Sequence, residues 1–176
     1  SKPDFSAEAA WLSREIKQAV RVQWSREDDI QHGFYHAVAG QYLEGGFDSD
    51  NQLTAWRHNS TATPINSTFT EGATVAGLGD VSLGLVNTPL QIPNIRMATG
   101  RAPGHVRIGW MRSVGNIYHC FAAQSFLAEL AHSAGRDHRD FLLDVIGEDR
   151  IIDFSAEGTP YSNHGASPVE YPYNTA

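Results

Sequence analysis

Few groups in this chain are spaced to do chemistry. His32 and His36 stand four apart, the spacing that places two imidazoles on one face of a helix for zinc. Gly33 and the alternating pattern around it argue against a helix there, and no glutamate follows His32, so no metal site is assigned. The other histidines are far apart and read as surface or hydrogen-bonded residues. Cys120 is the only cysteine, which forbids an internal disulfide and a multi-cysteine metal cage. It falls on an apolar stripe and is expected to be a buried, inert thiol. Arg26-Glu27-Asp28-Asp29 offers adjacent carboxylates, but acids in the first turn of a helix serve its dipole. Gly77-x-Gly79 lacks the strand before and the helix after that a phosphate cradle needs, and reads as loop geometry. Asn59-Ser60-Thr61 and Asn66-Ser67-Thr68 are formal glycosylation sequons, short enough to arise by chance. No nucleophile–base set or Gly-x-Ser-x-Gly elbow is present, which disfavours a self-contained hydrolase. No catalytic residue is assigned within the chain.

One segment differs. Trp110-Met111-Arg112-Ser113-Val114-Gly115-Asn116 is a polar, arginine-containing loop that leads into the best helical pattern of the chain. A helix N-terminus carries free N–H donors and partial positive charge, so it can receive an oxyanion or a metal oxo group. The competing reading is a plain capping loop with Asn116 as the cap. Arg112, Ser113, Val114, Gly115 and Asn116 are the candidate cofactor-binding or substrate-proximal residues.

The elements that would position this loop follow from periodicity. Phe5, Ala9, Leu12 and Ile16 predict a helix over about 6–18 with Ser6 as its cap. Val20, Val22 and Trp24 alternate with polar residues and predict a strand, and Ser25 to Asp28 forms a capping box that opens a short helical turn. Residues 33–45 and 53–58 flank the turn Asp48-Ser49-Asp50-Asn51 and predict a long antiparallel hairpin. Glycines and prolines break every candidate element from Thr61 to Gly104, so a long loop-rich segment with room for short strands is expected there, followed by a strand near 105–110. Cys120, Ala123, Leu127, Leu130 and Ala131 predict a helix over about 117–134 ended by Gly135. Asp137 caps a second helix carrying Phe141, Leu142, Val145 and Ile146 and stopping at Gly147. The fold class is α+β, a mainly antiparallel sheet with two or three packed helices. Residues 154–176 have no periodicity and are expected to be an irregular tail or linker that needs a neighbour.

Bulk composition excludes several classes. Hydrophobic residues at 41% and charged residues at 19% describe a globular chain rather than a disordered one. A formal charge of -7 without a basic cluster argues against nucleic acid as a partner. No apolar run reaches the length of a membrane span, and the start has no apolar signal region.

Val22-Gln23-Trp24-Ser25-Arg26-Glu27-Asp28-Asp29-Ile30, Leu53 to His58 and Ile92-Pro93-Asn94-Ile95-Arg96 resemble successive motifs of one family. So do Arg112 to Asn116, Phe121-Ala122, Ser125-Phe126, Glu129 to His132 and Gly135-Arg136-Asp137, in the same order. The family is that of the molybdopterin-binding large subunits of the xanthine dehydrogenase/aldehyde oxidase superfamily, in the branch of the isoquinoline 1-oxidoreductase beta subunits. The resemblance implies an internal fragment, with residues 1–153 part of the molybdopterin-binding domain. It implies molybdopterin, as its cytosine dinucleotide, in the full-length protein and no cofactor in this piece. It implies hydroxylation of N-heteroaromatics or oxidation of aldehydes with oxygen from water, and electrons leaving through an iron–sulfur small subunit. The remainder of the large subunit is the other implied partner.

Members of the family that this chain resembles often carry an Arg-Gly-aromatic-Gly version of the loop at 112–116. Ser113 and Val114 replace the glycine and the aromatic here, which removes a stacking surface. The glycine-rich motif and the "GxGE" motif with the catalytic glutamate are expected outside this sequence, so the isolated chain is expected to be inactive. Gly147-Glu148 lacks the preceding glycine and is not that motif. The alternative is a non-catalytic binding or interaction module on the same fold. Substrate, electron acceptor, oligomeric state and compartment are left open, with the periplasm suggested by the family.

Overall fold

A tight hairpin organises the chain. The computed structural model describes residues 3–104 and 106–154, with the backbone of Tyr173 and Asn174. In it β1 (Ala39–Phe47) pairs antiparallel with β2 (Leu53–Ala62). The connecting turn is closed by Asp48, whose carboxylate accepts the N–H groups of Asp50 and Gln52. Asn51 takes a left-handed φ of 62°, a conformation asparagine tolerates well. The hairpin expected from the alternation is present, with its first strand starting at Ala39 rather than near 33.

The α+β class holds, and the sheet is mixed. β3 (Asn94–Thr99) lies parallel to the far side of β2. It falls within the stretch expected to be loop-rich. A parallel neighbour requires a long crossover, and residues 63–93 supply it with a 3-10 turn, Ile65–Thr68, and the one-turn helix α3, Leu78–Val81. The Gly77-x-Gly79 stretch therefore opens α3, with the Gly77 N–H held by the Asp80 carboxylate.

One face of the sheet is covered by α4 (Asn116–Ser133) and α5 (His138–Ile146). Leu53, Trp56, Leu90, Ile92, Leu127, Leu130, Phe141 and Val145 form the core between them. Gly45 permits the approach, since a Cβ there would lie 2.8 Å from Leu130 Cδ1. The helix ends as expected. Arg136 N–H bonds to Ala131 C=O and Gly135 N–H to His132 C=O, with Gly135 at φ 65°, a Schellman arrangement. Asp137 caps α5 by accepting from the N–H groups of Arg139 and Asp140.

Several expectations are corrected. The buried stripe of α4 is His119, Ala122, Leu127, Leu130 and Ala131, while Cys120 is exposed and Ala123 only half-buried. The stripe is rotated because the polar His119 takes the inward place assigned to the thiol. The first helix, α1 (Asp4–Ile16), starts two residues early on Pro3, with no side-chain cap from Ser6. Val20 to Trp24 alternate in burial as expected but pair with no strand. Near 105–110 only a single bridge, Ile108 to Tyr35, replaces the expected strand; His105 lies outside the described residues. The Ser25–Asp28 capping box opens α2 (Arg26–His32) as expected. Neither α1 nor α2 buries a residue. The expected irregular tail lies largely outside the described residues; β4 (Ile151–Ile152) pairs with β5 (Tyr173–Asn174) through the backbone.

Leu127 is 0% exposed. Leu127→Ala should lower unfolding free energy by about 2–5 kcal/mol in urea titration. Cys120→Ala, on the exposed side of the same helix, should change it by less than about 0.5 kcal/mol.

Candidate functional site

The loop before α4 is a double turn. Val114 N–H bonds to Met111 C=O at 3.1 Å and Asn116 N–H to Ser113 C=O at 2.9 Å. Ser113 has φ 68° and Val114 φ 41°, two successive left-handed residues without a glycine. Such backbone costs about 1–3 kcal/mol per residue and persists only where the surroundings over-determine it; a β-branched residue there is a genuine outlier. Gly115 is buried, and a Cβ there would sit 3.0 Å from the Asp80 carbonyl oxygen. A side chain at this position would be crowded against the Asp80 backbone.

The helix begins at Asn116, and Gly115 occupies the cap position, where it offers no side chain. Asn116 is therefore not the cap. The N–H groups of Ser113 and Gly115 make no hydrogen bond among the described residues. Arg112 and Ser113 are exposed, Val114 and Asn116 half-buried. The Arg112 guanidinium has no ion pair among the described residues. The five candidates are adjacent in the chain and form one contiguous turn, but only Arg112 and Ser113 present side chains to solvent.

Behind the loop lies a buried polar chain. His58 Nε2 meets Gln41 Oε1 at 2.6 Å, and Gln41 Nε2 donates to Ser60 Oγ at 2.9 Å. Ser60 Oγ meets His119 Nε2 at 2.8 Å, and His119 Nδ1 meets the Leu83 carbonyl at 2.7 Å. A carbonyl can only accept, so His119 carries its proton on Nδ1 and accepts from Ser60 through Nε2. By the same logic His58 donates from Nε2 to Gln41. Every group then donates in one direction and both imidazoles are neutral. His58 is 1% exposed and His119 2%. Burial, and then the neighbouring His119, push the His58 pKa down from 6.5 to about 4. Burial also lowers that of His119, against its bond to Leu83 and the nearby Asp80.

Sequence reasoning treats these histidines singly and misses the chain. The available signal was register: His58 and Ser60 alternate with Trp56 on one face of β2, and His119 sits three residues before Ala122 on the inward face of α4. His32 and His36 are not brought together on one helix, since α2 ends at His32. Among the described residues no group of three or more His, Cys, Asp or Glu side chains is placed to hold a metal ion.

The model of the molybdopterin cofactor-binding domain family matches residues 2–143. The B subunit of nicotinate dehydrogenase from Pseudomonas putida is 28% identical over 172 residues, covering 92% of this chain and 14% of that protein. The beta subunit of isoquinoline 1-oxidoreductase from Brevundimonas diminuta is 26% identical over 147 residues, 81% of this chain and 19% of that one. The fold resembles aldehyde oxidoreductase from Desulfovibrio gigas with a TM-score of 0.53 at 17% identity, over 83% of this chain and 14% of that one. The chain thus spans less than a fifth of each.

The buried histidines make stability pH-dependent. His58 stays neutral in the fold down to about 4, whereas an unfolded histidine takes a proton near 6.5. Between these values the unfolded chain binds more protons, so stability falls as pH falls. The midpoint of thermal unfolding should drop steadily between about pH 6.5 and 4. His58→Gln should flatten that part of the profile.

Proposed function

The chain belongs to the molybdopterin cofactor-binding domain family, and on that premise we propose that residues 112–116 form one wall of its cofactor and substrate site. The observation that carries this reading is the strained turn at Ser113 and Val114, which leaves two N–H donors without a partner among the described residues, at the start of an 18-residue helix that has no side-chain cap. Fixed donors at a helix N-terminus suit an anionic group, because they need no rearrangement to meet its charge. The sequence that leads into the loop and the helix is free of carboxylates. No acidic residue occurs between Asp80 and Glu129, whereas Arg96, Arg101, Arg107 and Arg112 all fall in that span. Asp80 itself is buried and accepts the N–H groups of Ile65 and Gly77.

In this reading Ser113 and Gly115 would hold the cofactor's anionic end through their N–H groups, while Arg112 orients the substrate. When bound, a molybdenum pyranopterin supplies two-electron oxidation of a carbon with oxygen taken from water. The named activities of the relatives support N-heteroaromatics as substrates, with aldehydes supported by fold likeness. The complete subunit would pass electrons to an iron–sulfur partner and would carry the catalytic glutamate outside this sequence. The cofactor would be the cytosine dinucleotide form. Exposed Phe5, Trp11, Ile16, Ile30 and Phe121 offer apolar surface for the remainder of the large subunit.

The test uses the complete subunit with its partner. Wild-type protein should hold about one molybdenum per chain and oxidise isoquinoline or nicotinate. Ser113→Gly keeps the left-handed turn and should retain both properties. Ser113→Pro cannot take φ 68° and should lower turnover about 100-fold or more, while the metal content separates loss of binding from loss of rate. The isolated chain should hold no stoichiometric molybdenum. A complete subunit that binds none would favour a non-catalytic module.

A further inference from the structure

His36, Thr63, Asp80, Gly109, Val114 and Tyr118 line a narrow cleft with room for little more than one water-sized group. Its polar groups are incompletely used. His36 Nε2 is buried and has no partner among the described residues. The rings of His36 and Tyr118 meet edge-on, centroids 6.1 Å apart. The Tyr118 hydroxyl makes no hydrogen bond among the described residues; burial, and then the charge of Asp80, push its pKa up to about 12, so it is a neutral donor. The Asp80 carboxylate is fixed by the N–H groups of Ile65 at 3.3 Å and Gly77 at 3.2 Å. Val114, the half-buried residue at φ 41°, closes one side. A desolvated ring nitrogen with no partner forfeits its hydration, and buried polar groups rarely stay so. A roomy apolar void stays dry, but a cleft bounded by an imidazole, a phenol and a carboxylate offers the two to four partners that hold a buried oxygen.

We infer that this cleft is a binding site for one water-sized oxygen, hydrogen-bonded between the His36 imidazole and the Tyr118 hydroxyl, beside the left-handed Val114. Two sources share that chemistry. A water accepts from Tyr118 and donates to His36 Nε2. A terminal oxygen of a ligand at the loop has no hydrogen to give, and so requires His36 to carry its proton on Nε2. The second source rests on the reading of residues 112–116 as a ligand site; the first does not.

Nuclear magnetic resonance of the ¹⁵N-histidine-labelled 176-residue chain is the test. The expected result is His36 protonated on Nδ1, with cross-relaxation between a bound water and the ring protons of His36 and Tyr118. Tyr118→Phe and His36→Leu should each lower the unfolding midpoint by several degrees, by removing one partner of the oxygen. Absence of the water signal in the wild-type chain overturns the proposal, whatever the variants do. A raised midpoint in His36→Leu also overturns it, because that is the behaviour of an orphan nitrogen in a dry cleft. In the complete subunit loaded with cofactor, a switch of the His36 proton to Nε2 assigns the oxygen to the ligand, and retention on Nδ1 assigns it to water. Either result sustains the site, and failure of the loop as a ligand wall leaves the water arm standing.

Discussion

The bond from Ser60 to His119 holds the two halves of the molecule in register. Ser60 belongs to the central strand, and His119 to the first turn of the helix that covers it. Through Nδ1 the same imidazole holds the Leu83 carbonyl, and so the interior of the crossover that brings β3 parallel to β2. Sheet, crossover and helix therefore meet at one ring. Apolar packing at Leu127, Leu130 and Phe141 supplies most of the burial, but such packing is non-directional and tolerates small slides. A satisfied polar chain does not, because displacing any member strands a buried donor or acceptor. Its length, from His58 through Gln41 to Leu83, places the cost of a misregistered helix well above that of a lost methyl contact.

That anchoring has a consequence for the loop ahead of the helix. Ser113 and Val114 hold backbone angles that residues with a Cβ avoid. They can do so only because the residues after them are immobile. Gly115 is wedged against Asp80 and Leu83, and His119 pins the first helical turn. Strain of this kind is retained where relaxation would misplace something useful. Glycine would take the conformation of Ser113 without cost. At Ser113 the surrounding packing takes the place of that freedom.

The parts of the fold legible in sequence were those governed by local rules. The capping box at Ser25, the Asp48 turn, the Gly135 and Asp137 caps and the Gly147 stop each depend on a few adjacent residues. The failures depended on distant partners. Residues 20–24 alternate as a strand would, but among the described residues no strand pairs with them, and alternation alone cannot create a neighbour. Short strands were allowed for between Thr61 and Gly104, but β3 could not be located there, because Pro93 and the glycines around it mark loops and only its pairing with β2 makes it a strand. The stripe of α4 was legible at Leu127, Leu130 and Ala131, but its first two positions fall one residue earlier, at His119 and Ala122, because a histidine is expected to face water and a cysteine the core. At Arg112 to Asn116 the residue types and the helix behind them were legible. The left-handed turn was not, since neither Ser113 nor Val114 announces it.

The mismatch between apolar content and burial in the first third of the chain follows the same logic. α1 presents Phe5, Trp11 and Ile16 to solvent and buries nothing, held by the Phe5–Trp24 ring contact and an Asp4–Arg107 ion pair. A helix of 13 residues is marginal by itself in water. An ion pair between groups this exposed contributes little. Its apolar face therefore has most to gain from a covering surface, whereas α4 and α5 already have theirs. In the proposed subunit that division separates the roles of the chain. The sheet, its two packed helices and the polar chain between them form the rigid frame that sets the loop at 112–116, and α1 with α2 forms the surface by which that frame is joined to its neighbours.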